Sequence, residues 1–121
     1  MSHNSDIGNK GEEIAAEYLS NLGYIILERN WRYGRAEIDL IAKNEDILVF
    51  VEVKTRSSDA FGKPEEFISD RQQEFIFTAA QRYMEQIDYD WEIRFDSVSI
   101  LVKEKFQWKD YELKHIKDVY H

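Results

Sequence analysis

The chain has 121 residues, of which 43% are hydrophobic and 33% charged, and it carries a formal net charge of −8. This length fits one compact domain with its own hydrophobic core, so we expect a single domain over residues 1–121, with residues 1–7 disordered. The absence of cysteine excludes disulfides and thiolate zinc sites, and the acidic net charge argues against DNA binding by overall electrostatic attraction.

The N-terminal segment Met1–Asp6 has neither a basic nor an apolar stretch of the kind found in export signals. The longest apolar run, Ile47–Val51, is far too short to cross a bilayer. Together with the absence of cysteine, these features predict a cytoplasmic protein without a membrane partner.

The first predicted element is a helix from about Lys10 to Asn21. Asn9 is a suitable cap, Glu12 three residues later completes a capping-box pattern, and Gly23 is a natural stop. The helix has one apolar stripe, formed by Ile14, Ala15, Tyr18, Leu19 and Leu22.

Three strands are predicted next, at about Tyr24–Trp31, Glu37–Lys43 and Ile47–Thr55. Short turns at residues 33–35 and 44–46 separate them, which indicates an antiparallel meander. A loop around Pro64 then leads to a helix from about Asp70 to Ile87.

The second helix has Ser69 as its cap and an apolar stripe of Ile76, Ala79, Ala80, Tyr83, Met84 and Ile87. A strand at about Trp91–Val102 follows, and a short final strand near Tyr111–Ile116 is compatible with the pattern. The order α-β-β-β-α-β predicts an α/β (α+β) fold, in which helices cover a mixed sheet.

The third predicted strand combines a buried pattern with a charged end. Both of its faces are apolar until Glu52 and Lys54, which share a face with Leu48 and Phe50. A strand covered on both sides should not end in charged side chains unless they are paired, bind metal or reach solvent.

The preceding strand supplies a carboxylate opposite this charged end. Glu37 and Asp39 are expected on one face of that strand, and Ile38, Leu40 and Ala42 on the other. A hairpin would bring the Asp39 carboxylate to within about 5 Å of that of Glu52, close enough to share a cation.

Two neighbouring carboxylates repel each other, and a hard divalent cation such as Mg²⁺ relieves that repulsion through oxygen ligands. A lysine beside them, here Lys54, can orient or deprotonate an attacking water and stabilise charge on a phosphorane. The pattern therefore outlines a site for phosphodiester hydrolysis. The alternative is a cross-strand ion pair between exposed edge residues.

Several motifs, in order, resemble those of the YraN-like family, uncharacterised bacterial proteins placed in the PD-(D/E)xK nuclease superfamily and similar to archaeal Holliday junction resolvases. They are Asn9-Lys-Gly-Glu12, Gly23-Tyr24, Glu28-Arg-Asn30, Glu37-Ile-Asp-Leu-Ile41, Val49-Phe-Val-Glu-Val-Lys-Thr-Arg56 and Arg94-Phe-Asp96. The resemblance implies a restriction-endonuclease-like core, dependence on Mg²⁺ or Mn²⁺, a branched or nicked DNA substrate and, by analogy, a homodimer.

Carried over by position, the resemblance implies that Asp39 and Glu52 bind the metal together with the carbonyl of Val53. Lys54 becomes the catalytic lysine, and Glu12 adds an acidic group from the first helix. The alternative for Glu12 is a capping role alone, and for Glu37 and Asp96 it is a structural hydrogen-bonding role.

A basic surface beside the site would have to supply the contacts to DNA. Its candidates are Arg32, Arg35, Arg56 and Lys63, with Arg29 nearby. The alternative is that these are ordinary solvated surface residues.

The chain departs from the family pattern at two positions. Ala36 stands where relatives usually have glycine, which matters if that turn needs a positive φ. Gln72 stands near the start of the second helix, where relatives usually have lysine, so the site loses a positive charge. Gln72 also fits a capping box with Ser69, and Gln73 is the neighbouring candidate.

Two rival interpretations remain open. One is a catalytically weak or silent module that binds nucleic acid or protein on the same fold. The other is a structural subunit that uses exposed aromatics such as Phe106, Trp108 and Tyr111 as a contact patch. The three histidines His3, His115 and His121 are interpreted as surface residues.

Overall fold

The computed structural model describes residues 6–57, 70–104 and 107–120. Within these ranges lie two helices and five strands: α1 Asp6–Asn21, β1 Ile25–Tyr33, β2 Ala36–Asn44, β3 Ile47–Ser57, α2 Asp70–Gln86, β4 Ile93–Glu104 and β5 Gln107–Ile116. The predicted order of elements is confirmed, and β5 corresponds to the short final strand. The loop around Pro64, with Lys63 and Ser69, lies outside the described residues, as do His3, Phe106 and His121.

The five strands form one sheet in the order β1-β2-β3-β4-β5. The first three strands form the predicted antiparallel meander, and β5 pairs antiparallel with β4. The β3 and β4 strands are parallel, so the chain must cross over between them, and α2 lies in that connection. This mixed α+β arrangement is compatible with a restriction-endonuclease-like core.

Each face of the sheet is covered by one helix, which makes β3 a doubly buried strand. Val49 and Val51 pack in a cluster with α1 residues such as Leu19. Leu48 and Phe50 pack on the other face with α2 residues such as Tyr83. The uninterrupted apolar run of β3 is therefore explained by burial on both sides.

The predicted apolar stripes are wrong at the helix ends. Leu22 and Ile87 are 53% and 41% exposed, because α1 ends at Asn21 and α2 at Gln86. Both side chains lie in the turns that follow and no longer continue the helical spacing.

The alternation of side chains along β2 changes at Asp39. Leu40 and Ala42 pack in the α1 cluster, whereas Ile38 packs in the α2 cluster. The expectation that Ile38, Leu40 and Ala42 share one face is therefore wrong. The register between β2 and β3 ends at the pair Leu40 and Val51, so the strands lose their regular pairing where the carboxylates begin.

A buried polar network joins the start of β4 to the end of β5. Asp96 is 1% exposed and accepts hydrogen bonds from Arg94 Nε at 2.8 Å and from the backbone N–H of Asp118 at 3.2 Å. His115 Nε2 lies 2.8 Å from Asp96, and its side chain is only 5% exposed. The surface interpretation of His115 is therefore wrong, and Asp96 has the structural role given as its alternative.

The network also sets the charge state of Asp96. Burial alone would raise the pKa of Asp96, but hydrogen bonds from His115, Arg94 and the Asp118 N–H outweigh it, so the pKa lies below its usual value. Arg94 donates a further bond of 2.6 Å to the Tyr24 hydroxyl.

Neither described helix has the length and apolar character needed to span a membrane.

Candidate functional site

A cleft of about 450 Å³ opens where β2 and β3 lose their pairing, between α1 and α2. It brings together most of the site residues predicted from the sequence. Its described lining comprises Glu12, Arg35, Ala36, Glu37, Asp39, Glu52, Val53, Lys54, Thr55, Arg56, Gln72, Phe75 and Ile76.

Asp39 is a partly buried carboxylate in this cleft. Its Oδ2 accepts a hydrogen bond of 2.8 Å from the backbone N–H of Val53. Burial raises the pKa of Asp39 to about 7, the Val53 N–H opposes that rise, and the charges of Glu12, Glu52 and Glu37 add to it. The carboxylate therefore lies in an environment that a bound cation would stabilise.

Glu52 and Lys54 lie two residues apart on β3 and contact each other. Lys54 Nζ is 3.4 Å from Glu52 Oε2, and both side chains are mostly shielded from solvent. The Tyr120 hydroxyl donates a bond of 3.2 Å to Glu52 Oε1. Asp39 and Glu52 thus line one cleft, while their expected separation within about 5 Å stays a prediction.

Glu12 reaches the cleft because α1 lies very close to β3. A Cβ on the preceding residue, Gly11, would overlap the side chain of Thr55, so only glycine permits this approach. The pKa of Glu12 is raised, chiefly by burial. The predicted capping box of Asn9 and Glu12 is wrong, because α1 begins at Asp6 and both residues lie inside the helix.

Asn30 holds Glu12 from β1 and was missed by the sequence analysis. Its Nδ2 donates a hydrogen bond of 2.9 Å to Glu12 Oε1. Asn30 has a φ of 52°, a conformation that asparagine tolerates better than most residues with a side chain. The sequence feature that could have pointed to Asn30 is the Glu28-Arg-Asn30 motif, in which Asn30 was given no role.

The basic residues are distributed unevenly around the cleft. Arg35 and Arg56 line it, whereas Arg32 forms an ion pair of 3.5 Å with Glu37. Arg29 does not line it, and Lys63 lies outside the described residues. The lining named above includes four carboxylates against three cationic side chains, so one bound divalent cation would reverse the local charge balance.

The two departures from the family pattern have different consequences. Ala36 does not adopt a positive φ, so the missing glycine costs no backbone strain there. Gln72 is exposed on α2 and lines the cleft, at the position where the family resemblance implies a lysine. Gln73 is partly buried and does not line the cleft, and Ser69, the proposed capping partner, lies outside the described residues.

The donor set of the cleft consists of oxygen atoms. Across residues 6–57, 70–104 and 107–120 no three His, Cys, Asp or Glu side chains are arranged to hold a metal. The oxygen donors that the cleft could offer a cation are the carboxylates of Asp39 and Glu52 and the carbonyl of Val53, and water would have to supply the remaining ligands. Such an all-oxygen, water-rich set fits Mg²⁺ or Mn²⁺ rather than zinc.

Comparison with known proteins places these residues in a family. The model of "uncharacterised protein family UPF0102" matches residues 11–100, which include the whole described lining of the cleft. A UPF0102 protein of Flavobacterium psychrophilum is 41% identical over 121 residues, covering 100% of this chain and 98% of its own. UPF0102 proteins of Christiangramia forsetii (42% identical; 99% and 98% covered) and Clostridium botulinum (43%; 97% and 95%) are similar over their full length.

Proposed function

The chain belongs to the uncharacterised protein family UPF0102, and we propose that it is a metal-dependent endonuclease that hydrolyses phosphodiester bonds in DNA. The observation that supports this most is the meeting of Asp39, Glu52 and Lys54 in one cleft. They come from two strands that lose their regular pairing at this point. The resemblance to nucleases stated above supplies the reaction class, and branched or nicked DNA is the proposed substrate.

The Asp39 and Glu52 carboxylates and the Val53 carbonyl would hold a Mg²⁺ or Mn²⁺ ion. When bound, such an ion polarises a phosphoryl oxygen and acidifies a water. Glu12 adds negative charge to the same side of the cleft, which favours a divalent over a monovalent cation.

Lys54 is the proposed partner of the reacting water. Its ammonium lies beside Glu52, 3.4 Å from Oε2, so it can hold a water at the carboxylate and stabilise charge that develops on the phosphorane. Arg35 and Arg56 line the same cleft and would contact flanking phosphates. Gln72 offers a neutral hydrogen-bonding group in the cleft, so we expect a lower affinity for substrate than a lysine would give.

The test combines metal binding with cleavage. Mg²⁺ or Mn²⁺ should raise the melting temperature of the purified chain according to the metal concentration over Kd. Labelled junction, flap and nicked DNA should be cut only in the presence of metal. Asp39→Asn and Glu52→Gln should abolish both responses, whereas Asp110→Asn and Glu17→Gln, at exposed carboxylates outside the cleft lining, should retain them.

The second candidate is a binding module without catalysis on the same fold. It is favoured by Gln72, and by a described lining in which four carboxylates outnumber three cationic side chains. Such a module would bind the same DNA equally well in EDTA and in Mg²⁺. If wild-type protein shows neither a metal-dependent melting shift nor cleavage, this second candidate replaces the first.

A further inference from the structure

Tyr120 brings a hydroxyl from the end of the chain to the cleft carboxylate on β3. The hydroxyl donates to Glu52 Oε1 at 3.2 Å, while Lys54 Nζ lies 3.4 Å from Oε2. The Glu52 carboxylate is therefore contacted through both of its oxygens. Tyr120 lies outside the segment 11–100 that matches the family model.

The segment that carries Tyr120 is fixed to β4 by backbone hydrogen bonds. The Asp118 N–H donates to Asp96 Oδ1 at 3.2 Å, and the Val119 N–H donates to the Phe95 carbonyl at 2.7 Å. Asp118 itself has a φ of 57°, a turn conformation that aspartate tolerates. These bonds set the direction in which the chain leaves β5 and approaches Glu52.

The ring of Tyr120 packs against two other aromatic rings. Its centroid lies 5.5 Å from that of Phe77 on α2 and 5.7 Å from that of Phe95 on β4. Ring packing thus places the hydroxyl, and the hydrogen bond to Glu52 is a separate interaction that can be removed without removing the ring.

We propose that Tyr120 is a positioning residue that holds the Glu52 carboxylate in the orientation in which it binds a divalent cation. This inference rests on the proposed function. A carboxylate has about four lone-pair positions on its two oxygens, so the bonds to Tyr120 and Lys54 leave others for a cation. Hydrogen bonds of this kind orient metal-binding carboxylates, and their loss typically weakens metal binding about 10–100-fold.

Tyr120 stays a hydrogen-bond donor over the whole neutral range. A phenolic hydroxyl ordinarily loses its proton only at about pH 10, so at neutral pH it donates a hydrogen bond to the carboxylate. Within the part of the chain that the structure describes, the other polar contact of the Glu52 carboxylate is with Lys54, at the opposite oxygen.

The test uses Tyr120→Phe, which keeps the ring contacts with Phe77 and Phe95 and removes the hydroxyl alone. Tyr111→Phe is the matched control, since Tyr111 is an exposed tyrosine on β5. The Kd of Mn²⁺ is measured by calorimetry in the full chain. We expect Tyr120→Phe to raise it about 10-fold and Tyr111→Phe to leave it unchanged.

A second measurement needs no metal. In EDTA, Tyr120→Phe should lower the folding equilibrium constant about five-fold, as for an ordinary hydrogen bond, and should lower it less in a Glu52→Ala background. Equal Mn²⁺ affinities of wild type and Tyr120→Phe, or equal effects in both backgrounds, would overturn the inference alone. Wild-type protein that binds no Mn²⁺ would overturn the proposed function and this inference with it.

Discussion

The backbone N–H of Val53 donates a hydrogen bond of 2.8 Å to the carboxylate of Asp39. This bond lies just beyond the last regular pair of β2 and β3, Leu40 with Val51, so a side chain takes over where the backbone pairing stops. Among the described residues it is the influence that lowers the pKa of Asp39, and it is outweighed by burial and by three neighbouring carboxylates. The cleft is therefore built at a cost in stability that depends on pH.

Asp39→Asn should stabilise the metal-free protein at pH 8. Because the folded-state pKa of about 7 lies above the unfolded value of 3.8, the contribution of Asp39 to the free energy of unfolding falls as pH rises from about 4 to 7. It is level above that pH. The variant removes this loss, so its free energy of unfolding should exceed that of wild type by up to about 4 kcal/mol at pH 8. At pH 4 the two proteins should differ little. Urea denaturation in EDTA measures it, with Asp110→Asn as control. A variant less stable than wild type at pH 8 would contradict the assignment.

Lys54→Ala should separate metal binding from catalysis. The lysine contacts Glu52 but contributes no metal ligand, so the Kd of Mn²⁺ should change only a few-fold. Cleavage of branched DNA should fall by at least about 100-fold, because the lysine ammonium no longer orients the water or stabilises the charge that develops on the phosphorane. Calorimetry measures the Kd of Mn²⁺, and single-turnover kinetics measures the cleavage rate. Lys103→Ala, at an exposed lysine of β4, is the control. Equal losses of metal affinity and rate would mean that Lys54 acts only through Glu52.

Gln72→Lys should strengthen binding to DNA. The side chain lines the cleft, and a lysine there adds one phosphate contact and releases about one more counterion. We expect affinity to rise several-fold at low salt, and the slope of log K against log salt to steepen by about one. Fluorescence anisotropy with junction DNA in EDTA measures both. Gln81→Lys on the same helix is the matched control, and an equal gain in that variant would show that the effect is not local to the cleft.

Gly11→Ala should destabilise the fold despite the better helix propensity of alanine. Ala is ordinarily favoured over Gly inside a helix by about 1 kcal/mol, but the new Cβ would overlap Thr55. The net expectation is a loss of about 1–3 kcal/mol, measured by urea denaturation. Adding Thr55→Ala should recover part of that loss. Ser20→Ala, at an exposed position of α1, should cause no loss.

Asp96→Asn should weaken the fold at neutral pH and reduce its sensitivity to acid. Because the folded-state pKa of Asp96 is lowered, its contribution is present above the unfolded value and is lost as pH falls through the folded value. The variant leaves the Arg94 guanidinium without its anion, at a cost of about 3 kcal/mol near pH 7. The stabilities of wild type and variant should converge in acid, once the pH lies below the folded-state pKa of Asp96. Parallel pH profiles of the two proteins would contradict this.

The order of elements could be predicted because the strongest sequence signals are local. The apolar run of β3 and the helical spacing of α2 each identify an element without knowledge of its neighbours. The predicted start of α1 at about Lys10 was wrong. Asn9 and Glu12 match a capping box, but in the structure both lie inside the helix, and the Glu12 side chain contacts Asn30 of β1.

The site was predicted where two strands are adjacent in sequence and missed where partners are distant. Asp39 and Glu52 belong to neighbouring strands, so the β2–β3 hairpin alone brings both residues to one cleft. The contacts of Tyr120 with Glu52 and of His115 with Asp96 join residues 68 and 19 positions apart. They depend on how β5 and the following turn pack on β4, which no local pattern encodes.

The backbone of Asn30 affects how readily a strand from another molecule could pair with the edge of the sheet. β1 lies at an edge of the sheet and exposes Ile25 and Leu27, a combination that favours pairing with a strand from another molecule. The register shift between Ile26 and Glu28 and the left-handed conformation of Asn30 interrupt that edge twice within nine residues. A straight neighbouring strand can therefore pair with only a few residues of β1 at a time, so the conformation in which Asn30 contacts Glu12 also limits pairing of this edge with other molecules.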